Sequence, residues 1–318
     1  MVERSLQSAG SLSKLVIESS GGGLRSGVHR RESVASNLAD AAVWALIQEA
    51  ELTPKPALVD SRGCGAHDDM DLELLFSSAK TLHGTFRAMS REAFEGPHAT
   101  NRGKRLAALG RKGELEMLGI TEGVNTHRGA IWTLGLLCSS AAMLHASRSS
   151  AMTICMQAAK IARSLCGNLL QASSHGSMAC LRYGVRGARG EAEEGFPHLV
   201  QIALPMLRRS RAEGLTETQA RLNSLLALIA ELDDTCLLHR GGTIALETAK
   251  EGARKALSCG GAAAPDGMQA LCDLDRNLND LHSSPGGSAD LLAGALFLDR
   301  IETKPAVFPQ VFKWKFSS

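Results

Sequence analysis

The chain has 318 residues, 44% hydrophobic and 21% charged, with a mean hydropathy of −0.04, enough apolar material to bury a sizeable core. Lys+Arg number 35 against 33 Asp+Glu, a formal charge of +2, so neither a basic field for nucleic acid nor the acidic surplus of a disordered chain is present. No apolar run approaches the roughly 20 residues of a membrane helix, no secretory segment opens the chain, and the eight cysteines include no Cys-x-x-Cys pair, so free thiols, a reducing compartment and a cytoplasmic protein are expected.

In chain order, residues 1–33 are Ser/Gly-rich and read as a flexible extension. Apolar residues then recur at three- and four-residue steps, the period of a helix with one buried face. Val34, Leu38, Ala41, Ala42, Ala45 and Leu46 form one stripe. Leu72, Leu75, Phe76, Ala79, Leu82, His83, Phe86 and Met89 form another. Further stripes are Ile131–Ala142, Met152–Leu169 (through Cys155, Met156, Ala159, Ala162 and Cys166) and Leu222–Asp233. Thr216 with Gln219 spells a capping box before Leu222, Ser288 follows a Pro-Gly-Gly turn as a candidate N-cap, and Thr126 stands where it would cap the Ile131 helix. Strand alternation is hard to find. The expected architecture is all-α, a single multi-helix domain over 34–302 whose polar Gly-rich loops converge on one site. Residues 303–318 form a tail with two prolines and four aromatics.

Five connections are too rich in Gly, His, Arg and carboxylates to be plain links. The first, 52–71, carries Lys55, Arg62 and His67, then Asp68, Asp69 and Asp71 directly before a helix. These carboxylates suit either the positive end of that helix or a Mg²⁺ ion beside phosphate. The second, 123–130, brings His127 and Arg128 to a helix start, a geometry that suits anions as well as simple capping. The third holds His175 and then Arg186, Arg189, Glu191, Glu193 and Glu194 among glycines. Bidentate phosphate contacts and an internal Arg–Glu network explain it equally well. The fourth, Asp233 to Gly242, sets Asp233 on an apolar stripe with Asp234 one step round, and carries Arg240. An acid at the edge of a buried face is costly unless paired. The fifth, Ser284-Pro-Gly286-Gly287-Ser288-Ala-Asp290, has the kind of Gly-rich turn that cradles phosphate. On residues alone, the loops suit a Mg²⁺-dependent enzyme acting on a nucleotide or another polyphosphate, without choosing the reaction. A non-catalytic helical scaffold and a helical N-glycosyl hydrolase remain as alternatives.

The same segments, Thr-Pro-Lys-Pro-Ala-Leu-Val-Asp with Gly-Ala-His, Gly-Val-Asn-Thr-His-Arg-Gly-Ala-Ile-Trp, Tyr-Gly-x-x-Gly-Ala-Arg-Gly-Glu-Ala-x-x-Gly-Phe-Pro, Asp-Thr-x-Leu-Leu-x-Arg and Ser-Pro-Gly-Gly-Ser-Ala-Asp-Leu-Leu, resemble triphosphoribosyl-dephospho-coenzyme A synthases, in order from about 37 to 301. Trp132 and the run Cys236–Arg240 look more like the malonate decarboxylase branch than the citrate lyase branch. The resemblance implies a helical cytoplasmic transferase that joins ATP to 3′-dephospho-coenzyme A and releases adenine. The 2′-hydroxyl attacks C1 of the ATP ribose in one inverting displacement. The product would pass to a prosthetic-group transferase acting on an acyl carrier protein, and a homodimer is compatible with the aromatic tail. It implies Mg²⁺ on Asp69, Asp71 and Asp234, and Glu191, Glu194 and Asp234 as catalytic carboxylates. Substrate contacts would come from Lys55, Arg62, His67, His127, Arg128, His175, Arg186, Arg189, Arg240, Gly286, Gly287 and Ser288. The chain departs from the family pattern at Cys64, where Ser or Asn is expected, at Asp68, where a basic residue is expected, and over Ser177–Cys180.

Overall fold

The computed structural model describes residues 15–94, 101–144, 149–165 and 174–303, with side chains from residue 29 onward. Residues 1–14 of the extension expected over 1–33, and the tail 304–318, lie outside the described residues. Every regular element described is helical. They are α1 (Leu15–Ala50), α2 (Leu72–Thr81), α3 (His83–Phe94), α4 (Arg102–Ile120), α5 (Arg128–Met143), α6 (Ala151–Leu165), α7 (His175–Tyr183) and α8 (Gly187–Glu193). A π-helical segment, His198–Ala203, runs into α9 (Leu204–Ala212), followed by α10 (Glu217–Glu231), α11 (Thr235–Ser258), α12 (Pro265–Asp280) and α13 (Gly286–Thr303).

The most apolar helices are central. α5 and α13 are buried on nearly every face, and they pack on each other and on α1. α3 closes one side of this group; α10, α11 and α12 close the other. After Leu237 and Leu238 in its first turn, α11 buries only alanines, Ala245, Ala249, Ala253 and Ala256. The first stripe lies in the second half of α1, which begins at Leu15 rather than at Val34. The second stripe spans two helices, because the chain turns at Leu82, the fully buried C-cap of α2. On α6 the buried residues are Ala151, Ile154, Cys155, Ala158, Ala159, Ile161, Ala162 and Leu165, while Met152 and Met156 of the expected stripe are exposed.

Helix ends decide several details. Thr216 and Gln219 form the expected capping box, the kind worth about 1 kcal/mol. α10 ends at Glu231, so the chain leaves the stripe before Asp233, which is exposed and paired with Lys250 at 2.6 Å. The acid on the inside is Asp234, 1% exposed. Ser288 is not an N-cap but lies inside the first turn of α13. Thr126 does not cap α5: its hydroxyl meets Ser78, and Asn125 Oδ1 accepts the Arg128 N–H.

Candidate functional site

Asp234 is the centre of the site. It sits at the N-cap of α11, where its Oδ1 accepts the Cys236 N–H at 2.9 Å. The same oxygen accepts Gly287 N–H at 3.2 Å, and Oδ2 accepts both the N–H and the hydroxyl of Ser288, at 2.8 and 3.0 Å. One carboxylate therefore caps two helices. A Cβ on Gly287 would stand 3.0 Å from Asp234 Oδ1, which is why glycine is placed there. This corrects the expectation of a phosphate cradle at Gly286, Gly287 and Ser288: the first donors of α13 already hold the carboxylate. Burial pushes the Asp234 carboxyl up, against the pull of its donors.

Next to it stands Asp290, a residue whose role the sequence left unassigned. It is half-buried on α13, with the Ala130 N–H at the start of α5 as a donor. A Cβ on Gly129 would overlap Asp290 Oδ2, so glycine is required for this carboxyl to reach the helix start. Burial first, and then the charges of Glu49 and Asp234, hold Asp290 well above the ordinary carboxylate range. Glu49, also missed, is buried on α1 and carries the Lys55 ammonium at 2.6 Å. Lys55, expected at a phosphate, is 1% exposed, and it also donates to the Glu49 carbonyl. Its charge is spent inside the protein.

The first, fourth and fifth connections meet at His67. Its Nε2 faces Ser284 Oγ at 2.8 Å, and its Nδ1 accepts from Arg240 at 3.1 Å. Burial first, and then the Arg240 charge, push His67 down to about 4, so the ring is neutral. Arg240 otherwise reaches only the Ala66 carbonyl among its described hydrogen-bond partners, and forms no ion pair among the described residues. His175 of α7 stacks on His239 of α11, centroids 4.0 Å apart and rings 12° from parallel, which brings the third connection beside Arg240.

The other expected cations are committed to carboxylates. Arg62 grips Asp60 and Asp275, tying the first connection to α12. Arg128 pairs with Glu114. Arg186 pairs with Glu194, and Arg189 with Glu193, the pairs of the expected internal network. Glu191, expected as a base, is buried and accepts from the N–H of His198 and from its Nδ1 at 2.7 Å, raising the His198 value. Glu194 is exposed in its ion pair. Trp132 donates its indole N–H to the Ala188 carbonyl, fastening α8 to α5.

The three expected Mg²⁺ ligands do not gather. Asp234 has both oxygens occupied by donors. Asp71 caps α2 through the Leu74 N–H, and Asp69 is exposed, 3.8 Å from His67. No group of three His, Cys, Asp or Glu side chains suited to a metal occurs among the described residues. These residues do not fit a protein-only cage.

His127 is fully enclosed beside Ser78, with Nδ1 to Oγ at 2.7 Å, and burial followed by the Lys55 charge pushes it down to about 4. The folded value lies below the ordinary 6.5, so the unfolded chain takes up the proton first as pH falls. The contribution is complete above 6.5 and is lost between 6.5 and about 4, roughly 3 kcal/mol in all. Urea titrations at pH 7.5 and pH 5 should show this loss, and His127→Gln should reduce it. Equal stability at both pH values would contradict a neutral His127.

A family model described as "CitG: ATP:dephospho-CoA triphosphoribosyl transferase" matches residues 35–307. The chain belongs to this family. A relative from Azotobacter vinelandii, named "Probable 2-(5''-triphosphoribosyl)-3'-dephosphocoenzyme-A synthase", is 51% identical over 275 residues, covering 86% of this chain and 94% of the relative. Proteins with the same name from Pseudomonas syringae pv. syringae and Pseudomonas aeruginosa are each 50% identical, each over 87% of this chain and 94% of their own length. No solved structure matches the chain. For a CitG-family transferase, the match spans all five connections, and four of them contribute to the contacts around Asp234, Asp290 and His67. No helix among the described residues is long and apolar enough to cross a membrane.

Proposed function

We propose that this chain transfers the triphosphoribosyl group of ATP to the 2′-hydroxyl of 3′-dephospho-coenzyme A and releases adenine. The observation that carries this reading is the family match across residues 35–307, together with the meeting of the matching connections at Asp234 and His67. In the reaction, C1 of the ATP ribose loses its bond to adenine and gains one to the acceptor oxygen, with inversion. The triphosphate is retained, so it must be held and not cut. Arg240 is the cation best placed for that, because the described structure gives it no carboxylate, and an arginine without an ion pair is available for bidentate phosphate contacts. The flat stacked pair His175–His239 beside it offers a surface on which a purine can stack. Mg²⁺ accompanies ATP as the ion of the substrate, completed by phosphate oxygens and water, with Asp69 as the nearest exposed carboxylate.

Trp132 and Cys236–Arg240 favour the malonate decarboxylase branch. The product would then go to a prosthetic-group transferase for the acyl carrier protein. The test mixes the purified protein with ATP, Mg²⁺ and 3′-dephospho-coenzyme A and follows adenine and product mass. Adenine released only with all three, and a product heavier by the triphosphoribosyl group, is the expected result. Adenine or ribose products without dephospho-coenzyme A would mean a hydrolase. Omitting Mg²⁺ should abolish turnover, and turnover in a chelator would remove the ion from the reading.

A further inference from the structure

We propose that His67 is a positioning residue that aims the Arg240 guanidinium at the triphosphate of ATP. The inference rests on the reading above that Arg240 holds the triphosphate.

The loop that carries His67 is shaped for this contact. Gly65 has a φ of +58°, and a Cβ there would stand 2.5 Å from the Ala57 carbonyl oxygen, so the turn requires glycine. The same carbonyl accepts the Ala66 N–H at 3.0 Å, which closes the loop on itself. The Ala66 carbonyl and His67 Nδ1 then meet the two Arg240 amino groups, at 3.4 and 3.1 Å. α11 comes to them at a break in its helix. Gly242 stands inside α11 with a φ of +67° and a ψ of −156°. A Cβ on Gly241 would stand 2.5 Å from Ser283 Oγ, so the turn that bears Arg240 lies close against Ser283 and its neighbour Ser284.

The hydrogen-bond roles are fixed by chemistry. Arginine donates and never accepts. Nδ1 of His67 therefore turns its lone pair to Arg240, and the ring proton sits on Nε2, which donates to Ser284 Oγ at 2.8 Å. The His67 side chain is 9% exposed and Ser284 is 2% exposed, so the ring is held in one orientation. Both ring nitrogens are engaged, which leaves neither for the substrate contact expected of His67. Arg62, Arg128, Arg186 and Arg189 are held by carboxylates that offset their charge. Arg240 is held by an imidazole and a carbonyl, so it is directed while its charge is left for an anion. A long side chain already held in its bound direction loses less entropy when it meets phosphate.

Calorimetric titration with ATP tests the assignment. His67→Leu is expected to raise the Kd for ATP about 10-fold. His67→Asn, whose amide oxygen replaces the Nδ1 acceptor, should keep most of the affinity. His67→Gln, whose amide reaches the place of Nε2, should lose as much as the Leu variant. In an Arg240→Ala background, His67→Leu should cost nothing further, because no guanidinium is left to aim. A loss that repeats in full without Arg240 would mean that His67 only supports its loop, and it overturns the proposal. So does an unchanged Kd in His67→Leu, or an Asn variant as weak as the Leu one. If the Leu variant has no cooperative thermal transition, the Asn and Gln variants, each with and without Arg240→Ala, decide in the same way. A wild-type protein that binds ATP but releases no adenine with dephospho-coenzyme A removes the transferase reading and leaves the positioning role standing. A wild-type protein that does not bind ATP removes both.

Discussion

Lys55→Ala is expected to cost about 3–5 kcal/mol of folding stability, the usual penalty for stranding a buried charge. The ammonium is 1% exposed, bonded to the Glu49 carboxylate at 2.6 Å and to the Glu49 carbonyl at 2.8 Å. Removing it leaves Glu49 buried with neither water nor counter-charge, close to Asp290. The pair itself is not expected to be worth that much, since the attraction largely offsets the desolvation of both ions. The double variant Lys55→Met with Glu49→Leu should therefore recover most of the loss. Urea unfolding of the two single variants and the double measures the coupling. Single variants that unfold at the wild-type midpoint would show that the pair is open to water.

Asp234→Ala is expected to lose about 4 kcal/mol, because two helix starts lose their cap at once. The Cys236, Gly287 and Ser288 N–H groups and the Ser288 hydroxyl would face a small apolar hole. Asp234→Asn should be milder in stability, since it keeps one acceptor oxygen, but its amide would point a donor at donors. Both variants should loosen the join between α11 and α13, and adenine release should fall with them. Hydrogen exchange at Ser288 N–H reports the cap directly. Unchanged protection there in the Ala variant would contradict the double-cap geometry.

The all-helical class was legible because Leu- and Phe-bearing stripes show the 3.6-residue period plainly. It was less legible on α11, where only alanines are buried beyond Leu238, and on α4, which buries only Leu106, Gly113 and Met117 among its described residues. The bend at Leu82 was hidden because an apolar period continues through it. The connections that matter were visible as dense runs of Gly, His and charge. Which residue does what was not, because a charge in a sequence does not reveal its partner. Lys55, Arg62, Arg186 and Arg189 looked like phosphate ligands, and each proved to have a carboxylate of its own. Glu49 gave no signal inside α1. Asp290 gave a faint one, as the acid closing the Pro-Gly-Gly-Ser motif, with Gly129 as its distant counterpart.

The contacts that tie the first connection to the C-terminal part of the fold are long-range in the chain: His67 reaches Ser284 across 217 positions, and Arg62 reaches Asp275 across 213. Asp234 finds its second helix start only when α13 is present. During translation, a nascent chain that has emitted only α1 to α11 thus has neither Ser284 for His67 nor Gly287 and Ser288 for Asp234. These partners arrive with the last described helix and the turn before it. The junction is therefore completed by the last part of the described chain to be made.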